Sequence, residues 1–453
     1  MLLMQPAYGV RYFTKLEKTS LSEICVRRRI SLCDILSCSF KNQRKEGCDS
    51  MNERYRKYRA FLWCMIAVGM IGMTYLLWNH MKKQIPDELH VSINQQMDWE
   101  TIFDNPLITY DTAVTVSQSG SFTVPCYFMN LIPLKTMKVS YVNYDAVYAS
   151  GVPIGIYMET EGVLVIDYGE IKDMEGNTKI PAKNIVESGD YILKVNNEKL
   201  AGKKELIQMV KNNKGESMEF EILRNKQILT RSMKPIQTDD GSYKLGIWVR
   251  DNIQGIGTMT CVTEQGSFVA LGHGISDIDT GKQLNISSGT LYNTKILGIQ
   301  KGAVGNPGEL KGVIDYNETE KIGNIMVNST IGIRGMLLNK KDQDLIGQRY
   351  PIGLKQEIEC GPAQLLCDVG DGTTYYNIEI EDIRYHAKEE NQNYKIIVTD
   401  ENLLKKTGGI VQGMSGSPII QNGKLVGAVT HVLVNDPTRG YGIFIENMLD
   451  AAG

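Results

Sequence analysis

The chain has 453 residues, 42% of them apolar, which is enough for two or three domains with real hydrophobic cores. A net charge of −3 supplies no bulk electrostatic reason to bind nucleic acid, so no nucleic-acid partner is expected. Nine cysteines without a CxxC pair exclude a zinc ribbon or redox dithiol, and neither a metal nor a cofactor is expected. Residues 1–50 are basic, carry Cys25, Cys33, Cys38 and Cys48, and lack periodicity. They read as a non-native or disordered extension. Translation is then expected to start at Met51, because Met51 to Lys57 makes an ordinary basic leader before an apolar run.

Residues 51–83 read as a cytoplasmic leader and a transmembrane signal anchor. Phe61 to Trp78 is a run of eighteen residues without a formal charge. As a helix at ~1.5 Å per residue it reaches about 27 Å, close to a hydrocarbon core of roughly 30 Å. Arg54, Arg56, Lys57 and Arg59 precede it, which puts the N-terminus in the cytoplasm and the bulk of the chain outside. Residues 84–138 form a polar membrane-proximal region with some strand-like stretches.

From 139 to 236 the pattern becomes a compact α+β module. Val163 to Ile166 reads as a buried strand, Ser188-Gly189-Asp190 as a turn into a second one, Glu205 to Lys211 as a helix and Met218 to Leu223 as an alternating strand. This order resembles a PDZ domain, in which a glycine-containing loop precedes the groove strand. Gly155, Ile156, Tyr157 and Met158 are the matching candidates for holding a peptide carboxylate on main-chain N–H groups.

Residues 243–453 are strand-rich, with 44 glycines in the whole chain and few helical signals, which suits a double β-barrel better than a parallel α/β sheet. Cys360 and Cys367 could pair, or stay as buried thiols. Gly413-Met414-Ser415-Gly416-Ser417-Pro418 is a serine boxed by glycines, followed by an apolar strand, a polar turn and a second apolar strand. Such a turn exposes a serine Oγ and lets main-chain N–H groups, here those of Gly413 and Ser415, face an oxyanion. Ser417 is the second candidate nucleophile. A serine needs an imidazole to take its proton, and only His80, His90, His273, His386 and His431 exist. His273, at a strand end breaking into a glycine turn, is favoured as the base over His431 and His386. For the acid, Asp400 ends an apolar strand fifteen residues before Ser415, with Asp277, Asp279 and Asp368 as competitors. A strand-ending aspartate is also a common cap of the next helix.

These motifs resemble the stage IV sporulation protein B (SpoIVB) peptidases, membrane-anchored serine proteases of endospore-forming bacteria. The resemblance is carried by Leu271-Gly272-His273 with Ser276-Asp277, Gly305-Asn306-Pro307-Gly308-Glu309, Thr399-Asp400, Lys406 to Pro418 and Thr430-His431-Val432 with Asn435 to Thr438. It implies a chymotrypsin-like fold, mainly β, behind a PDZ domain and one transmembrane helix, with His273, Asp400 and Ser415 as catalytic residues. It further implies a signalling endopeptidase in the forespore inner membrane, facing the intermembrane space. Such an enzyme cleaves itself and a membrane-bound regulator of sigma-K processing, while the PDZ domain binds a peptide. Alternatives are a quality-control protease of the HtrA type, in which the protease precedes the PDZ, and a non-catalytic PDZ scaffold.

Overall fold

The computed structural model describes residues 49–92, 105–110, 121–339, 345–385 and 387–450. The reading of residues 1–48 as an extension, with its four cysteines, and the candidate base His386 lie outside them.

The first helix, α1 (Asp49–Gln84), is apolar around its whole circumference over its central turns. Within it, Tyr55–Gln84 is long and apolar enough to cross a membrane. Among the described residues after it, four strands make a small sheet, β1 (Glu88–Ser92), β2 (Ile108–Tyr110), β3 (Ser121–Phe128) and β4 (Ile132–Val142), in the order β1-β4-β3-β2. Leu89, Val124, Met137 and Val139 form its buried face.

Next come β5 (Val147–Ala149) and the 16-residue β6 (Pro153–Tyr168), which serves two structures at once. A module follows, made of β7 (Ile171–Lys172), β8 (Thr178–Lys179), β9 (Tyr191–Val195), β10 (Glu198–Lys199), helix α2 (Lys203–Asn212), β11 (Met218–Arg224), β12 (Gln227–Met233), β13 (Ile236–Gln237) and β14 (Tyr243–Lys244). Leu206 and Val210, four apart on α2, are buried with Val163, Ile192 and Phe220, so one helical stripe closes this core.

Strands β15 (Ile247–Val262), β16 (Ser267–Ala270), β17 (Ile286–Gln300), β18 (Glu309–Ile314), β19 (Lys321–Ser329) and β20 (Gly332–Leu337) return to β6. The pairings β6–β17–β19–β20–β16–β15 and back to β6 make a closed six-stranded ring. Its first strand is residues 153–160, upstream of the PDZ-like module. The module therefore sits between the first two strands of the first barrel, where the sequence suggested two domains in tandem. No periodicity could show this, because β6 and β15 are each one unbroken strand whose two halves belong to different cores.

The second barrel follows β21 (Arg349–Tyr350), which pairs with β5. Its strands are β22 (Gly361–Asp368), β23 (Thr373–Ile383), β24 (Tyr394–Val398), β25 (Pro418–Gln421), β26 (Lys424–Leu433) and β27 (Asp436–Phe444). They close in the order β22-β23-β24-β27-β26-β25. Strict alternation builds the wall: along β23, Tyr376, Ile378 and Ile380 point inward between exposed neighbours. Asn422 and Gly423, with φ of +50° and +73°, give the two-residue turn that joins β25 to β26. Helix α3 (Glu401–Thr407) links β24 to the serine turn, and α4 (Ile445–Asp450) ends the described chain. Cys360 and Cys367 are free thiols; Cys367 is fully buried, and burial pushes its pKa far up. The molecule is mainly β, with a chymotrypsin-like double barrel.

Candidate active site

The serine turn is held where the two barrels meet. Gly416 has φ +97°, and a Cβ on it would lie 2.1 Å from the Thr258 carbonyl and 2.5 Å from the Leu271 nitrogen. Only glycine lets the turn close on the first barrel there. The Thr258 N–H donates to the Ser415 carbonyl at 3.0 Å, and the Thr258 and Thr260 hydroxyls donate to the carbonyls of Gly413 and Gly416, each at 2.7 Å. The carbonyls of this turn are thereby occupied. Among the described residues, the N–H groups of Gly413 and Ser415 have no intramolecular acceptor, as an oxyanion site requires. Ser415 Oγ donates to the Thr430 carbonyl at 2.7 Å, so the hydroxyl rests on β26 and must rotate to reach a base. Ser417 is fully buried and its Oγ donates to the Met414 carbonyl at 2.7 Å, which makes it part of the turn's framework.

His273 follows β16 after Leu271 and Gly272, whose φ values of +70° and +69° break the strand. Its Nδ1 lies 3.0 Å from the Gly274 carbonyl. A carbonyl only accepts, so Nδ1 carries the proton and Nε2 is the basic nitrogen. Burial holds the His273 pKa below the ordinary histidine value, with the Gly274 carbonyl opposing. The His431 ring packs against it with centroids 5.0 Å apart. Burial, with the His273 charge second, pushes His431 down to about 4. Because Thr430 holds the serine and His431 holds the imidazole, Ser415 and His273 converge on one corner of β26.

Asp400 does not join them. It is the N-cap of α3, its Oδ1 accepting from the N–H groups of Asn402 and Leu403 at 3.0 and 3.1 Å, its Oδ2 from that of Asn377 at 3.3 Å. Among the described residues, no carboxylate pairs with the His273 ring. Asp277 is buried against Arg250, and Asp368 accepts from Gly370 and Gly372 in a turn. The capping role of a strand-ending aspartate is the one this structure displays. Asn328, which no motif singles out, instead contacts the segment after His273.

The residues expected to hold a peptide carboxylate are also elsewhere. Gly155, Ile156, Tyr157 and Met158 lie mid-strand in β6, paired to β15 on one side and to β17 on the other. No edge remains for an added peptide strand, and this expectation is corrected. A groove of the required kind runs between α2 (Leu206, Ile207, Val210) and residues 243–249, with a cavity of about 360 Å³. There the N-terminal part of β15 pairs only with β6, leaving its other edge toward the helix. Leu245-Gly246-Ile247 is as good a glycine loop as Gly155-Ile156, and only the long-range pairing tells them apart.

A serine held in a tight turn with two N–H groups unoccupied among the described residues, a histidine packed against the ring of His431 on the strand that holds the serine, and a two-barrel frame fit a serine endopeptidase. Residues 241–449 match the family described as SpoIVB peptidase S55. No curated protein matches. Among solved structures, the active form of the Rv3671c protease from M. tuberculosis is 14% identical over 44% of this chain and 75% of its own, with a TM-score of 0.27. The HtrA-type protease AlgW with a decapeptide is 11% identical over 67% of this chain and 64% of its own, with a TM-score of 0.28. The PDZ domain of the SdrC-like protein Lmo2051 from Listeria monocytogenes is 18% identical over 24% of this chain and 90% of its own, with a TM-score of 0.15.

Proposed function

We propose that this serine endopeptidase is a membrane-anchored regulatory protease of sporulation, which cleaves itself and a membrane-bound regulator and so triggers sigma-K activation. The observation that carries the reading is the family match over 241–449, which spans His273 and the whole Ser415 turn. The helix Tyr55–Gln84 supports an anchor, and the basic residues before it support an N-terminus in the cytoplasm with the protease outside, in the forespore intermembrane space.

The chemistry uses groups already in place. Ser415 Oγ turns from the Thr430 carbonyl toward His273, whose Nε2 takes its proton as the oxygen attacks the peptide carbonyl. The N–H groups of Gly413 and Ser415 receive the oxyanion, a contribution of roughly 10²–10³ in rate per donor. His273 then protonates the leaving amine, and water hydrolyses the acyl-enzyme by the same steps in reverse. The groove between α2 and residues 243–249 takes a peptide of the enzyme or its partner as an added strand, controlling when cleavage starts.

Mass-spectrometric mapping of fragments from the purified full chain tests this reading. The wild type is expected to give a defined self-cleavage fragment, and to cut the membrane-bound regulator when the two are mixed. Both products should vanish in Ser415→Ala. Fragments that persist in that variant would remove Ser415 as the nucleophile.

A further inference from the structure

The small sheet after α1 ends in an apolar tip. Between β3 and β4 the chain reverses at Met129 and Asn130, with φ of +49° and +61°, and the Leu131 N–H donates to the Phe128 carbonyl at 3.0 Å. Two successive positive φ angles suit Asn-Gly, while the Cβ of a methionine crowds its own backbone there. Leu131 is 82% exposed, Met129 56%, Ile132 47%, and Leu107, whose carbonyl accepts the Met129 N–H at 2.8 Å, 43%. The core of the sheet is built without them, from residues such as Leu89, Val124, Leu134 and Met137. Four large apolar side chains gathered at one hairpin tip mark a surface for an apolar partner.

The place of the tip says which partner. It lies at the end of the sheet where α1 arrives: Asn105, two residues before Leu107, donates from Nδ2 to Gln84 Oε1 at 2.8 Å. Lys135, three residues after Ile132, donates from Nζ to the Ile85 carbonyl at 2.9 Å. Met81 is buried in the core of the sheet and Trp78 packs against it, with Lys82 Nζ 5.3 Å from the centre of the Trp78 ring. A tryptophan followed by Lys82 and Lys83 is how a membrane-crossing helix meets the headgroup layer. From Trp78 to Gln84 is six helical steps, ~9 Å, about the depth of that layer. The protease hangs from the opposite end. β4 runs away from the tip to Val142, the chain then enters β5 and the first barrel, and His90 on β1 lies 2.9 Å from Glu446 on α4.

We propose that the β3–β4 tip is a second membrane contact, with Met129, Leu131, Ile132 and Leu107 inserted into the interfacial layer of the bilayer that α1 crosses. The partner is lipid, taken up by apolar side chains at the depth where acyl chains meet headgroups. One helix alone leaves a domain free to tilt about its exit point. A helix and an inserted tip fix the sheet at two places, and with it the height of the serine turn above the membrane. This rests on the reading of α1 as a membrane span.

The test is photocrosslinking of the full chain in vesicles of phosphatidylcholine and phosphatidylglycerol in equal parts. A fraction of the lipid carries a diazirine in the acyl chain close to its carbonyl end. After irradiation, lipid adducts are mapped by mass spectrometry. The wild type is expected to give adducts on two separate segments, Phe61 to Trp78 and Met129 to Ile132. In a Met129→Asn/Leu131→Asn double variant, adducts at the tip should fall by about 10-fold or more, while those on the helix stay unchanged. That variant should melt in detergent no lower than wild type, because asparagine accepts the positive φ at residue 129 more readily than methionine does. The wild-type map carries the test whatever the stability of the variant. Adducts confined to the helix in wild type overturn the proposal, and so does a tip that crosslinks to a second copy of the chain in place of lipid. A tip yield unchanged in the double variant does the same, since insertion would then not depend on these side chains. Adducts on neither segment, with the chain released from the vesicles by alkaline carbonate, overturn the reading of α1 as well, which tells the two failures apart.

Discussion

The imidazole of His273 and its neighbour His431 set how the site responds to acid. Burial favours the neutral form of both, and with His431 down at about 4 the pair carries no charge near pH 7. A base with a depressed pKa stays competent below the ordinary histidine value of about 6.5. The acid limb of the rate at which a fluorophosphonate labels the wild-type serine is therefore expected to have its midpoint below that value. The same shift has a stability consequence, whose sign follows from proton counting. As pH falls below about 6.5 the unfolded chain binds protons at these positions before the folded chain does, so stability is full above that pH and declines beneath it. A melting temperature that falls between pH 6.5 and 5, with a shallower fall in a His273→Gln/His431→Gln double variant, is the expected result. An unchanged slope would mean that the two rings are hydrated and titrate as in the unfolded chain.

The elements show what a sequence discloses and what it withholds. The hairpin from Pro418 to Leu433 is legible because Asn422-Gly423 admits few turn types and the flanking residues are apolar. The serine turn is legible for a related reason, since Gly416 stands where no side chain fits. Asp400 is legible only as a strand end followed by a helix, and those facts suit an N-cap and a triad acid equally. What separates them is three-dimensional, namely which element lies opposite the imidazole. As a cap that satisfies two N–H groups of α3, Asp400 makes its own prediction. Asp400→Ala should cost about 1 kcal/mol in denaturant unfolding and Asp400→Asn only a few tenths, since asparagine caps about as well. Equal, larger losses in both would show that the carboxylate charge stabilises the fold by some other contact.

At the scale of the whole molecule, the sheet that follows the membrane-length helix is fastened to the end of the protease. His90, on β1, lies against Glu446, on α4, with Nδ1 and Oε1 2.9 Å apart and both side chains almost fully buried. The other oxygen of Glu446 accepts the Lys355 N–H at 2.6 Å, and the Gln356 amide donates to the His90 carbonyl at 2.7 Å. Tyr144 and Asp450 close the cluster. The hydrogen bond to Glu446 raises the His90 pKa above the ordinary histidine value, against burial and the Lys355 charge, with the charges of Glu446 and Asp450 assisting. A raised histidine pKa gives stability that is complete below about 6.5 and is lost as pH climbs through the folded value. This runs opposite to the His273–His431 pair, so the two histidine sites favour different pH ranges. Removing one partner of a buried pair strands the other, and His90→Ala should therefore cost roughly 3–5 kcal/mol, while a neutral replacement of the acid, Glu446→Gln, should cost less. The fastening itself is best read by limited proteolysis of the full chain upstream of β3, at pH 6 and pH 8. Cleavage there should quicken at the higher pH in the wild type and become independent of pH in His90→Ala. A pH-dependent rate that survives in that variant would place the switch outside the His90–Glu446 pair.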